Sequence, residues 1–176
     1  MARKRPPRQD GRHGSRLKEK KSQPQAPPPI DNEILAFFYQ QPGPATINDL
    51  LKGLGHERSF KKDLEAGLES LIQEKLVRKS DKRDYALHKH PPLYEAILEQ
   101  NPRGFGFAAR CTSAVGAPAL KRDPFISASR MMQARQGDRI LIRVHRTRSD
   151  DRPEASVIKI LARGTERLAG FFVRDR

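Results

Sequence analysis

The sequence predicts an α+β chain of two modules: three helices closed by a β-hairpin, then five short strands, all behind a basic tail. Three observations carry this: a 3.6-residue apolar period confined to residues 31–76, a change after Pro92 to short strand-like runs separated by Gly, Pro and charged loops, and an uneven distribution of charge. The 176 residues carry 35 Lys plus Arg against 21 Asp plus Glu, a net charge of +14. Residues 1–30 hold nine basic and two acidic side chains, residues 31–100 ten and twelve, and residues 101–176 sixteen and seven. Polyanions are the default partners of such a charge, and a near-neutral module separates the two basic segments. The length suits two small domains, 30–90 and 91–165, with 1–29 as tail and 166–176 as the start of a further, truncated β domain.

Residues 1–29 combine nine basic side chains with repeated prolines and one large aliphatic residue, Leu17, so they are expected to be disordered. Such a segment is either a basic arm that gathers nucleic acid or a solubilising linker. Asp31 is expected to cap a first helix whose Ile34, Phe37 and Phe38 lie at i, i+3 and i+4. Pro42-Gly43-Pro44 ends it. Thr46 and Asp49 form an imperfect capping box for a short second helix with Ile47, Leu50, Leu51 and Leu54 on one face. Ser59 is the expected cap of the third, in which Phe60, Leu64, Leu68, Leu71, Ile72 and Leu76 keep the helical period. Residues 76–79 and 84–87 flank a polar turn at Ser80–Arg83, and three helices followed by such a hairpin describe a winged helix-turn-helix.

In that fold the third helix would lie in a DNA groove, yet it carries Lys61, Lys62 and Lys75 against Asp63, Glu65, Glu69 and Glu74. Its acid repels phosphate. The wing is the better contact surface, through Arg78, Lys79, Lys82 and Arg83; the alternative is a docking unit with a solvated charged hairpin. His88 and His90 flank Lys89, a pair that suits metal only with further ligands, and none stands nearby in the sequence.

After Pro92, strands are expected at Tyr94–Gln100, Phe105–Arg110, Pro124–Ile126, Arg139–Arg146 and Ala155–Leu161, the content of a five-stranded OB-type barrel. Residues 127–136 leave room for one or two helical turns, and Gly137-Asp138 turns the chain into the fourth strand. There Ile140, Ile142 and Val144 face the core, while Arg139, Arg143 and His145 face outward and are expected near the aromatic surface. That surface rests on Arg103-Gly104-Phe105-Gly106-Phe107, where aromatics at i and i+2 share a strand face and glycines leave room for a nucleotide backbone. The run meets the first five positions of an RNA-stacking strand and departs from it at Ala108 and Arg110. Base stacking and burial in a small core are both open to Phe105 and Phe107 on this pattern.

Gly104–Phe107, then Asp123-Pro124-Phe125-Ile126, then Gly137–Arg143 resemble, in that order, the landmarks of the first cold-shock domain of ribonuclease R-type enzymes in the ribonuclease II family. The helices and hairpin before them are similar to the family's N-terminal winged helix, so the resemblance spans residues 31–176. It implies the front part of a processive, hydrolytic 3′–5′ exoribonuclease, guiding single-stranded or 3′-tailed RNA to a catalytic domain absent from this chain. It also implies Phe105 and Phe107 as a stacking pair, Phe125 as the aromatic of the second landmark, and Arg103 as a phosphate contact. Pro124 departs from the family's aliphatic residue and suggests an edge strand, Ser127 stands where free cold-shock proteins carry a stacking histidine, and the loop 111–122 is long.

The family's magnesium is held by aspartates of the separate catalytic domain, so no cofactor is expected in this chain. Asp150-Asp151 is the one adjacent acidic pair and reads as a solvated loop; no nucleophile–base arrangement stands out, and no catalytic residue is assigned. Leu168–Val173 reads as the first strand of a further barrel. A single cysteine, Cys111, excludes an internal disulfide and reads as a loop thiol in a reducing cytoplasm. Neither a membrane span nor a secretory signal is expected. RNA is the expected partner, ribosomal or RNA-degradation proteins are the further partners this reading allows, and the chain is expected to act as a monomer. The competing readings are a stand-alone RNA chaperone or adaptor and a winged-helix DNA-binding regulator; an RNA-recognition motif is a weaker fold alternative, since one short helix follows the aromatic run where that fold needs two.

Overall fold

Ile34, Leu35, Phe37 and Phe38 place the apolar stripe of α1 (Ile30–Gln40) on buried positions, and the computed structural model describes this helix and the rest of residues 29–145 and 152–164. The basic tail up to residue 28, Asp150-Asp151 and the strand expected at 168–173 lie outside the described residues. α1 begins one residue before Asp31, on the Pro29 carbonyl, which accepts from the Asn32 and Glu33 N–H groups. Asp31 is therefore a first-turn acid and not the cap, and it accepts a 3.4 Å bond from Ser70. In α2 (Ile47–Leu54) both halves of the Thr46–Asp49 capping box form. Those bonds lower the Asp49 pKa.

Ser59 does not cap α3 (Lys61–Gln73), because Arg58–Phe60 coils into a 3-10 turn ahead of it. The turn swings Phe60 outward, 41% exposed and stacked on His56 at 4.4 Å. Leu64, Leu68 and Leu71 of α3 are buried as their period requires. The hairpin follows as β1 (Val77–Lys79) and β2 (Tyr85–Leu87), paired antiparallel around a turn closed by the Ser80 N–H on the Asp84 carbonyl.

Five strands follow among the described residues: β3 (Leu93–Gln100), β4 (Gly106–Ser113), β5 (Phe125–Ile126), β6 (Arg139–His145) and β7 (Glu154–Ala162). The sheet order is β3-β4-β5-β7-β6 with β6 also pairing β3, an OB-like arrangement in which β5 and β7 share one parallel pair, Phe125 with Glu154. Ala96, Leu98, Ala108, Ile126, Ile140 and Ile142 fill its interior. Between β5 and β6 the chain makes only one 3-10 turn, Ala128–Arg130. Pro124 does not mark an edge, since β5 pairs on both sides and the Pro124 carbonyl accepts from Ala108. Cys111 lies on β4 and not in a loop; its half-buried thiol contacts the Ala108 carbonyl, and burial pushes its pKa up to about 11.

The outer face of β3, β6 and β7 is not left to solvent. Leu93, Leu141 and Ile158 join the core of the helices and hairpin. Polar clamps border this contact: Glu74 pairs with Arg143, and Glu95 accepts from the Tyr39 hydroxyl at 2.5 Å while pairing with Arg139 at 3.3 Å. Burial first, and the Glu95 bond second, push the Tyr39 pKa up to about 12. Tyr39→Phe is expected to cost about 1–2 kcal/mol by stranding part of the Glu95 carboxylate, read as a lower denaturant midpoint with an unchanged slope.

Candidate nucleic-acid interface

The β3–β4 connection is a tight turn in which Asn101 N–H donates to the Phe105 carbonyl and the Asn101 side chain accepts from the Arg103 N–H. Gly104 sits there at φ +92°, a conformation that favours glycine. The turn delivers Phe105 to the start of β4, two residues before Phe107, and Phe107 stands opposite Phe125 of β5. All three rings touch: centroids are 5.8 Å apart for Phe105–Phe107, 5.5 Å for Phe105–Phe125 and 5.9 Å for Phe107–Phe125. Each is half-buried and belongs to neither apolar core, because the adjacent Ala108 and Ile126 take the inward positions. The choice left open by the sequence falls to an outward aromatic surface.

The register carries this surface across the sheet. Glu99 pairs with Phe107, Phe107 with Phe125, Phe125 with Glu154, and Glu154 with His145, so five outward side chains form one lateral row. Arg152 caps it, with its guanidinium carbon 4.6 Å from the Phe107 centroid, and Arg130 pairs with Glu154 at 2.9 Å. Arg103 is exposed at the turn. His145, bonded to Ser156 at 3.1 Å, has its pKa lowered by burial and by Arg143 and Arg130, against the opposing effect of Glu154.

Three expectations are corrected here. Arg139 and Arg143 do face outward from β6, but onto the face that the helices cover: they pair with Glu95 and Glu74, and the Arg143 side chain is only 16% exposed. They are not beside the phenylalanines. Gly106 does not make room for a nucleotide backbone, since a Cβ there would meet Leu98 at 2.8 Å and the Glu99 carbonyl at 2.9 Å. Its small size serves packing of β4 against β3.

Sequence reasoning missed Arg130, Arg152 and Glu154. Arg152 is 45 positions from Phe107 by sequence number, and only its place in an Arg-rich stretch hinted at a role. The wing cations Arg78, Lys79, Lys82 and Arg83 are all exposed, with Lys79 5.7 Å from the Tyr85 ring centroid. They lie on a separate element from the aromatic row. Among the described residues, no group of three or more His, Cys, Asp or Glu side chains stands together as a metal site, and no helix is long and apolar enough to cross a membrane.

Residues 96–160 match the family model of the ribonuclease B OB domain. No curated protein matches the chain. The matched stretch runs from β3 into β7 and contains the whole aromatic row, which supports an OB domain of the ribonuclease II/R family at these residues, suited to binding RNA.

Proposed function

We propose that this chain is the RNA-loading part of a ribonuclease R-like 3′–5′ exoribonuclease. The observation that carries the reading is the contact of Phe105, Phe107 and Phe125 on the outward face of the segment that matches the OB model. Half-buried outward rings suit unstacked bases, and Arg103 and Arg152 beside them suit the phosphates between those bases. The strands form a closed cold-shock barrel, and residues 30–90 a winged helix whose Arg78, Lys79, Lys82 and Arg83 hold the duplex part of a tailed substrate. Hydrolysis belongs to a magnesium-dependent domain outside this sequence. Within this reading the chain acts as a monomer in the cytoplasm.

Binding of the full chain to labelled single-stranded RNA, a 3′-tailed RNA duplex and duplex DNA, at several salt concentrations, tests the proposal. The single strand and tailed duplex are expected to bind more tightly than DNA at every salt concentration, with no shortening of the RNA when magnesium is added. Equal binding to all three, falling together with salt, would reduce the protein to a non-specific polycation binder.

A further inference from the structure

A carboxylate is an unexpected neighbour for a phosphate-binding surface. Glu154 nevertheless stands directly beside Phe125 in the lateral row, on an adjacent strand and on the same outward face, since Ala155 and Ile126 next to them point inward. Its side chain is 52% exposed, and the exposed Arg130 lies 2.9 Å from it. Strand neighbours are about 4.8 Å apart, so a base lying on the Phe125 ring overhangs Glu154 with its edge. Repulsion of phosphate disfavours an acid at this place, whereas the N–H donors of a base edge suit a carboxylate acceptor.

Resting on the RNA-binding reading above, we infer that Glu154 and Arg130 read the edge of the base stacked on Phe125 and select guanine. Guanine presents two adjacent donors, N1–H and N2–H, which match the two oxygens of one carboxylate, with O6 next to them as an acceptor for a guanidinium. Adenine and cytosine present one exocyclic amine donor on that edge, and uracil one ring N–H, so each satisfies only half of the carboxylate. Arg130 already holds Glu154 in place, which orients the carboxylate before the base arrives. The competing account is a surface ion pair that contributes little to folding and nothing to recognition.

The test uses the full chain and four labelled 12-nucleotide strands: oligouridylate, and the same strand with one central guanosine, adenosine or cytidine. The guanosine strand is expected to bind about tenfold more tightly than oligouridylate, as one bidentate base contact allows. Glu154→Gln should bring it down to the oligouridylate value while oligouridylate itself binds as before or more tightly; an unchanged melting temperature would show that the variant is folded. Equal affinity for all four strands in the unaltered protein, with oligouridylate binding still dependent on Phe107, would overturn the guanine inference and leave the RNA reading standing. A guanine preference that survives Glu154→Gln would place the selection elsewhere and overturn it as well. Failure of the unaltered protein to bind any strand would remove both.

Discussion

Replacing Phe105 and Phe107 together by alanine is expected to weaken single-stranded RNA binding about a hundredfold, with little change in fold. Base–aromatic stacks contribute about 1–3 kcal/mol each, and about 1.4 kcal/mol is a factor of ten in affinity. The two losses should not add in full, because the rings touch each other and Phe125, so either substitution disturbs the same surface. The substituted residues lie outside both apolar cores, and the backbone bonds of the Asn101–Phe105 turn do not involve the rings. Fluorescence anisotropy at fixed salt, with circular dichroism on the same samples, separates binding from folding. Unchanged affinity in a folded double variant would take the phenylalanines off the RNA path. A steeper salt dependence in the variant than in the parent would mean that stacking had been masking phosphate contacts.

The largest effect on stability is expected at Asp138. It is the one buried charged side chain among the described residues, at 2% exposure, in the turn that feeds β6. Its carboxylate accepts from the Arg135 N–H at 2.9 Å, the Gly164 N–H at 2.8 Å and Arg163 at 2.8 Å, tying the start of β6 to the residues after β7. Asp138→Ala leaves these donors without their acceptor, for a cost of about 3 kcal/mol. Burial alone would raise the Asp138 pKa, but the bonds from Gly164, Arg135 and Arg163 outweigh it and the pKa is lowered. A lowered folded-state value means that the contribution is complete above the unfolded value near 4 and is lost as pH falls through the folded one. The parent should therefore lose stability below about pH 4, and Asp138→Asn should show a shallower acid limb. The same joint is sensitive from its other side: a Cβ on Gly164 would lie 2.6 Å from the Gly137 carbonyl carbon and 2.7 Å from its oxygen. Both contacts are to backbone, so Gly164→Ala is expected to destabilise by about 1–3 kcal/mol, measured by urea unfolding.

Local rules made much of this protein legible before its structure. The 3.6-residue period set Leu64, Leu68 and Leu71 on the buried face of α3, and turn residues placed the β1–β2 hairpin. The two-residue alternation of strands put Phe105 and Phe107 on one face and Ile140, Ile142 and Val144 on the other side of their own strand. Helix starts were read less well, because Asp31 and Ser59 have the side chains of caps but Pro29 and the Arg58–Phe60 turn supply the geometry.

By itself, then, the sequence determined element types, their order, and which side of each strand carries apolar residues, since these follow from steric and hydrophobic preferences within a few positions. Only the tertiary structure decided what the outward cations meet. An outward arginine is equally compatible with solvent, phosphate or a carboxylate; Arg139 and Arg143 became clamps because the helices cover β6, while Arg130 and Arg152 reach the aromatic row because β5 pairs with β7. Asp138 likewise looked like an ordinary turn residue until Arg163 and Gly164, 25 and 26 positions away, closed around it. Partners so distant in sequence leave no periodic trace, and packing alone brings them together.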